Sequence, residues 1–170
     1  MPARSDIDPA DIPALLPYLG IIEKADGELR YRLIGTALAR ELGRDVTGSQ
    51  VGSYIPAGPA LRATVELVCT AAQPVFNTGK HELAPGAVHH SSALLLPLSE
   101  DGAAVNMVIF LHLMRFQPYV WASRDWLISA PVRIGEPAII QDAAQLEKLV
   151  GDWECACSAA AAESAGAQYR

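Results

Sequence analysis

Two long apolar runs on either side of an Asp-Gly pair constrain this chain more than any other feature: "HHSSALLLPL", from His89 to Leu98, and an extended run that ends at Leu113. Asp101-Gly102 between alternating apolar segments is a hairpin signal, and predicts one strand from His89 to Leu98 and another from about Ala103 to Leu113. Side chains alternate along a strand, and loop length sets the register. A connection of about two or about four residues places Leu94, Leu96 and Leu98 on one face with Val105, Met107, Ile109 and Leu111. That face is expected to be the core, and His90 shares its parity. The opposite face carries Ser91, Ala93, Leu95, Asn106, Val108, Phe110 and His112. It is mixed, yet too apolar to lie bare in water. The N-terminal segment, a second copy of the chain and the C-terminal segment are the candidates to cover it. Leu15, Leu16, Leu95, Val108 and Phe110 are therefore expected to form a dimer or cap surface.

Other elements announce themselves along the rest of the chain. "DIDPADIPALLPYL" opens with Asp8 before Pro9, a helix-start signature, and Pro13 limits this segment to a short cap with Leu15, Leu16 and Leu19 as its apolar contacts. Gly20 to Glu23 reads as a strand, Asp26-Gly27 as a hairpin turn, and Leu29 to Gly35 as a second strand. Thr36 is placed to cap a stub of helix from Ala37 to Leu42, which Gly43 ends. A longer helix from Pro59 to Gln73 carries Leu61, Val65, Val68 and Ala72 on one stripe. Val75 to Glu82 is a strand weakened by Gly79, and "LAPGAV" is a loop. Past Arg115 the chain turns rich in proline and tryptophan, predicting loops with short extended pieces outside the core. Asp142 and Gln145 form a capping-box pattern ahead of a helix that runs to Trp153, with a fraying tail beyond.

Bulk properties narrow the function classes. Across 170 residues the formal net charge is -6 and no basic run occurs, which argues against nucleic acid or an anionic membrane as the main partner. No run approaches the roughly 18 consecutive apolar residues that a spanning helix needs. "MPARSDIDPADIP" alternates charges and prolines where an export signal needs an apolar stretch, so a cytoplasmic location is expected. Cys155 and Cys157 stand too close together for a disulfide framework, and "DWECACSAAAAESAG" adds only carboxylates, so no metal site is expected. His89, His90, Ser91 and Ser92 are adjacent, but neighbours on a strand point to opposite faces and make no catalytic triad. No nucleophile elbow or phosphate-binding glycine loop appears.

Strand, strand, short helix, loop, longer helix and three strands describe an α+β fold, an antiparallel sheet with helices grouped on one face. "DIDPADIPALLPYLGIIE" and then "RYRLIGTALARELGRDVTGS" resemble the opening of a group of short bacterial PAS proteins, and the likeness extends from about Arg4 to Met114. The resemblance implies a five-stranded antiparallel sheet of order 2-1-5-4-3, preceded by a cap helix. Its concave side, with the helices, would enclose a cavity for small molecules or cofactors. In that frame the chain divides into an N-terminal cap (1–19), a PAS domain (20–114) and a C-terminal extension (115–170). Arg44 and Tyr54 on the loop over the cavity, His90 at its rim, and Leu96 and Met107 on its inner face are the expected ligand-binding residues.

The long helix carries no histidine of the kind that ligates haem in some PAS sensors, and the reactive-cysteine motif of the flavin type is absent, leaving Cys69 as core filler and the cofactor unknown. "MRFQPY" stands where many PAS domains carry an Asp-x-Thr exit to an output helix. The expected function is therefore a non-enzymatic sensory or interaction module in signal transduction, homodimeric, acting in trans on a signalling protein, with a small molecule as a candidate ligand. Two alternatives stand beside it: a small pocket enzyme, an isomerase or hydrolase on an apolar substrate, and a purely structural dimerisation domain.

Overall fold

A computed structural model of the chain describes residues 2–53, 58–84, 87–100, 102–115 and 132–167. Strands β1 (Leu19–Ala25) and β2 (Glu28–Ile34) form an antiparallel hairpin closed by Asp26 and Gly27, at φ 52° and 78°. Two left-handed central residues give the turn whose twist matches its strands. The chain leaves β2 through Gly35 into α1 (Thr36–Glu41). Thr36, expected to cap this helix, is instead its first residue, and Gly35 holds the cap position with no side-chain bond. The cause is a tight crossing: the Gly35 N–H donates to the Leu19 carbonyl (2.8 Å), and a Cβ at Gly35 would overlap the carbonyl oxygens of Leu16 and Pro17. Gly43, at φ 73°, ends the helical stub as expected.

Beyond Gly43 the chain runs back along β2. Gly48 N–H donates to the Tyr31 carbonyl (2.6 Å), Tyr31 N–H to Ser49 (3.0 Å) and Val51 N–H to Leu29 (2.8 Å). The compressed unit from Arg30 to Ser49 thus closes on its own strand and satisfies an edge that would otherwise offer unpaired backbone groups. Helix α2 (Gly58–Ala71) comes next, ended by Ala72 at φ 52° and then Pro74.

Strands β3 (Val75–Ala84), β4 (Ala87–Leu98) and β5 (Met107–Arg115) complete a sheet of order β2-β1-β5-β4-β3 with antiparallel neighbours. This is the order the resemblance implies. The sheet does not stop at β3: β6 (Val132–Ile134) and β7 (Ala138–Ile139) both pair with it antiparallel. The region expected to lie outside the core therefore supplies sheet hydrogen bonds. The β4–β5 connection is also wider than expected, since Leu98 pairs with Met107 and Ser99 and Asn106 both stand outside the ladder. The connection is held from two sides. Asn106 Oδ1 accepts the Glu100 N–H (2.9 Å), and Ser99 exchanges backbone bonds with Pro2 and Arg4.

The grouping of side chains into two stripes agrees with the register, because Leu94, Leu96 and Leu98 pair with Leu111, Ile109 and Met107. Which stripe lies under the helices is the reverse of the expectation. Leu95, Val108 and Ile22 pack with Val65 and Val68 of α2, and each of these five is at most 1 % exposed. Burial on that scale contributes about 1.5–3 kcal/mol per side chain. Leu95 and Val108 are thus not a dimer or cap surface. Phe110 joins the same core, its ring centroid 6.4 Å from that of Tyr31. The ring lies over Gly20, its cross-strand partner, where a Cβ would collide with it. Burial pushes the Tyr31 phenol up to about 12.

The other stripe faces away from α1 and α2 and has its own covers. Met107, Ile109, Leu98, Leu19 and Ile21 are sealed by Ile7 and Ile12 of the N-terminal segment. That segment consists of three 3-10 turns (Arg4–Asp6, Pro9–Asp11, Leu16–Tyr18) where a cap helix was expected. Asp8 does cap, accepting the Ala10 N–H at 2.8 Å, but Pro13 and Pro17 interrupt any longer hydrogen-bonded run. At the far end of the same face lies α3 (Ala143–Ala167), which extends well beyond Trp153. Asp142 Oδ1 accepts the Gln145 N–H (2.8 Å) as its sequence predicts, while Gln145 Oε1 accepts the N–H of Gln141, one residue before the cap (2.8 Å), in place of the Asp142 N–H of a capping box. The alanines beyond Cys157 continue it because alanine has the highest helix propensity.

Candidate functional site: the cleft beneath the C-terminal helix

Helix α3 is anchored by one apolar cluster in which Trp153 and Cys157, a turn apart, meet Phe76 of β3 and Ile140 after β7. Leu94, Leu146, Leu149 and Val150 border it. Past this cluster the helix and the sheet separate, leaving a cleft of about 490 Å³. Its floor is the outer face of the sheet, with Phe76, Thr78 and Lys80 from β3 and His90 from β4. Its roof is Leu149, Asp152, Trp153 and Ala156 of α3. Gly135 and Glu136, between β6 and β7, and Ala138 of β7 close one side, fixed by the Gly135 N–H donating to the Thr78 carbonyl (2.8 Å). The volume falls within the range of small-molecule sites, and the lining combines the apolar Phe76, Leu149, Trp153 and Ala156 with polar and charged groups on both floor and roof.

His90 sits directly opposite Lys80 across the β3–β4 ladder. Its Nε2 is buried and has no hydrogen-bond partner. A buried polar atom left in that state costs about 1–3 kcal/mol. Burial, and then the Lys80 ammonium, hold the imidazole below the ordinary histidine value of 6.5, so its neutral form predominates at neutral pH. Among the described residues, Lys80, Glu136 and Asp152 form no ion pair with one another or with any other group. The cleft therefore holds one cation, two carboxylates and a neutral imidazole beside two aromatic rings.

A family model described as a PAS domain matches residues 1–111. The chain belongs to the PAS domain family. No curated protein matches it closely enough to add a relative. The matched span contains β1 to β4 and most of β5, together with α1 and α2, whereas β6, β7 and α3 come after it. The cleft thus joins the PAS sheet to elements beyond the matched region.

Of the expected ligand residues of this PAS domain, His90 lines the cleft, on the face turned away from α1 and α2. Leu96 lies on that same face, 37 % exposed, and Met107 is sealed under the N-terminal segment; neither lines the cleft. Both were assigned to the cavity side by the inverted face. Arg44 is exposed beyond the end of α1, and Tyr54 lies outside the described residues. Leu15 and Leu16 are exposed in the N-terminal turns. Phe76, Lys80, Asp152 and Trp153 were not anticipated. Strand parity alone groups Lys80 with Phe76, but nothing in the sequence announces that α3 returns to that strand.

Other groups offer less chemistry. His112 Nδ1 approaches Glu41 Oε2 at 3.8 Å where β5 meets α1. Burial pushes the Cys69 thiol up, more than Lys24 brings it down, which disfavours a reactive thiolate. Among the described residues no group of three or more metal-binding side chains occurs, and no helix is long and apolar enough to cross a membrane.

Proposed function

We propose that this PAS domain is a sensory or interaction module of signal transduction that works as a homodimer through the outer face of its sheet. PAS domains are typically non-enzymatic sensory modules and often mediate dimerisation or protein interaction. The observation that carries the reading is a set of bare apolar side chains. Leu96 and Leu113 lie on the outer face between the N-terminal segment and α3, and Leu15, Leu16 and Tyr18 stand out from the adjoining turns, each 37–41 % exposed. Leu19 pairs with Leu111, so Leu113, two residues on in the same stripe, falls beside the Leu16–Tyr18 turn. Several large apolar side chains exposed on one side of a domain favour an interaction site there. A second copy is the assigned occupant because the patch flanks a sheet face that a symmetric partner would cover with its own.

Sedimentation of the full chain at about 100 μM tests this. The expected result is a dimer, converted to a folded monomer by Leu96→Glu with Leu113→Glu. A monomeric wild type, or a dimer that the double substitution leaves intact, overturns it. Phe110→Glu, the obvious choice from sequence, is unsuitable because that ring is part of the core.

A further inference from the structure

We propose that the cleft between the outer face of β3–β4 and helix α3 binds a small zwitterion of the amino-acid type bearing an aromatic or branched apolar side chain. This goes beyond the dimerisation reading and stands independently of it, because none of the five exposed side chains of that patch lines the cleft. The first ground is a group the lining lacks. Folded proteins seldom keep a buried polar atom unpaired without a functional reason, and His90 Nε2 is such an atom on the wall of a cavity. His90 lines the cleft while this nitrogen is closed to solvent, so a ligand group would supply the missing partner once the imidazole turns it toward the cleft.

The charges indicate what kind of group. Lys80, beside His90, favours a carboxylate on the sheet side. Asp152 of α3 and Glu136 of the β6–β7 connection favour an ammonium on the other. These three charges do not neutralise each other directly. A ligand with only one charge would leave one pole of the site uncompensated, and a zwitterion compensates both. The apolar part of such a molecule has a place to go: Phe76 and Trp153 present ring surface beside Leu149 and Ala156. Because α3 forms the roof, the same ligand would add a second link between two elements that meet through the Trp153–Cys157 cluster.

The test is isothermal titration of the full chain with L-phenylalanine and L-leucine, alongside 3-phenylpropionate and 2-phenylethylamine as single-charge analogues. The expected result is saturable binding of at least one amino acid, with each analogue bound at least tenfold more weakly than phenylalanine. Lys80→Met and Asp152→Asn, both exposed positions that should fold normally, are each expected to weaken amino-acid binding at least tenfold. Nitrogen-15 spectra should show shifts at His90 and Gly135 on saturation. No saturable binding of either amino acid overturns the proposal. So does binding that Lys80→Met and Asp152→Asn leave unchanged, or equal binding of the analogues. A monomeric wild type that still binds phenylalanine would remove the dimer reading and leave this one standing.

Discussion

The two faces of the sheet are built from equally apolar strands and put to opposite use. Under α1 and α2, Val65, Val68, Leu95 and Val108 interlock to near-zero exposure, and even Gly20 is matched to the ring above it. On the other face the covers are partial. The N-terminal turns seal one end and α3 the other, leaving exposed leucines between them and a cleft with an unpaired imidazole nitrogen. Close packing of these side chains gives stability. Incomplete cover costs stability and leaves both a surface and a cavity for recognition. In this PAS domain the outer face carries the exposed leucines and the charged cleft.

The comparison is most easily broken by paired substitutions in adjacent β4 residues. Leu95→Ala should lower the free energy of urea unfolding by about 2–5 kcal/mol, and Leu96→Ala by no more than about 0.5 kcal/mol. Equal losses would mean that the two faces contribute alike. Next in size is Gly20→Ala, expected to destabilise by about 1–3 kcal/mol through overpacking. Adding Phe110→Leu should recover part of the loss by clearing the ring from the new methyl group; additive losses would show that ring and glycine are not matched.

On the outer face, Asp142→Ala removes the cap of α3 and should cost about 1 kcal/mol. Hydrogen exchange sharpens this, with faster exchange expected in the first turns of α3 and little change in α2. Equal acceleration in both helices would show that the two covers unfold together.

The smallest effect is a pH dependence. His90 binds its proton less readily folded than unfolded, with burial and Lys80 opposing the charge while Asp152 and Glu136 face it across the cleft. The unfolded chain therefore takes up the extra proton first. Stability should fall as pH drops below 6.5, and this contribution stops growing once the folded imidazole is also protonated. His90→Gln should reduce the loss in urea midpoint between pH 7.5 and 5.5. An unchanged or larger loss would show that His90 is not held neutral by its surroundings.

Much of the fold was legible because local chemistry dictates it. Asp26-Gly27 has only one comfortable way to reverse two strands, Gly43 and Pro74 end their helices, and Asp142 with Gln145 starts α3. The alternation of β4 and β5 fixed which side chains lie together. It was silent on which stripe the helices cover, since Leu94, Leu96 and Leu98 are as apolar as Leu95, Val108 and Phe110. Of the candidate site only His90 was visible beforehand, and it was assigned to the wrong side of the sheet.

By itself, then, the sequence determined most of the PAS elements, their order and which side chains share a face of each strand, because these depend on neighbours a few residues apart. The tertiary structure alone decided the side to which each stripe turns, the return of β6 and β7 to β3, and the meeting of His90 and Lys80 with Asp152 and Trp153. Those outcomes depend on how distant apolar surfaces compete to be covered. Periodicity records that such surfaces exist but carries no information about which will meet.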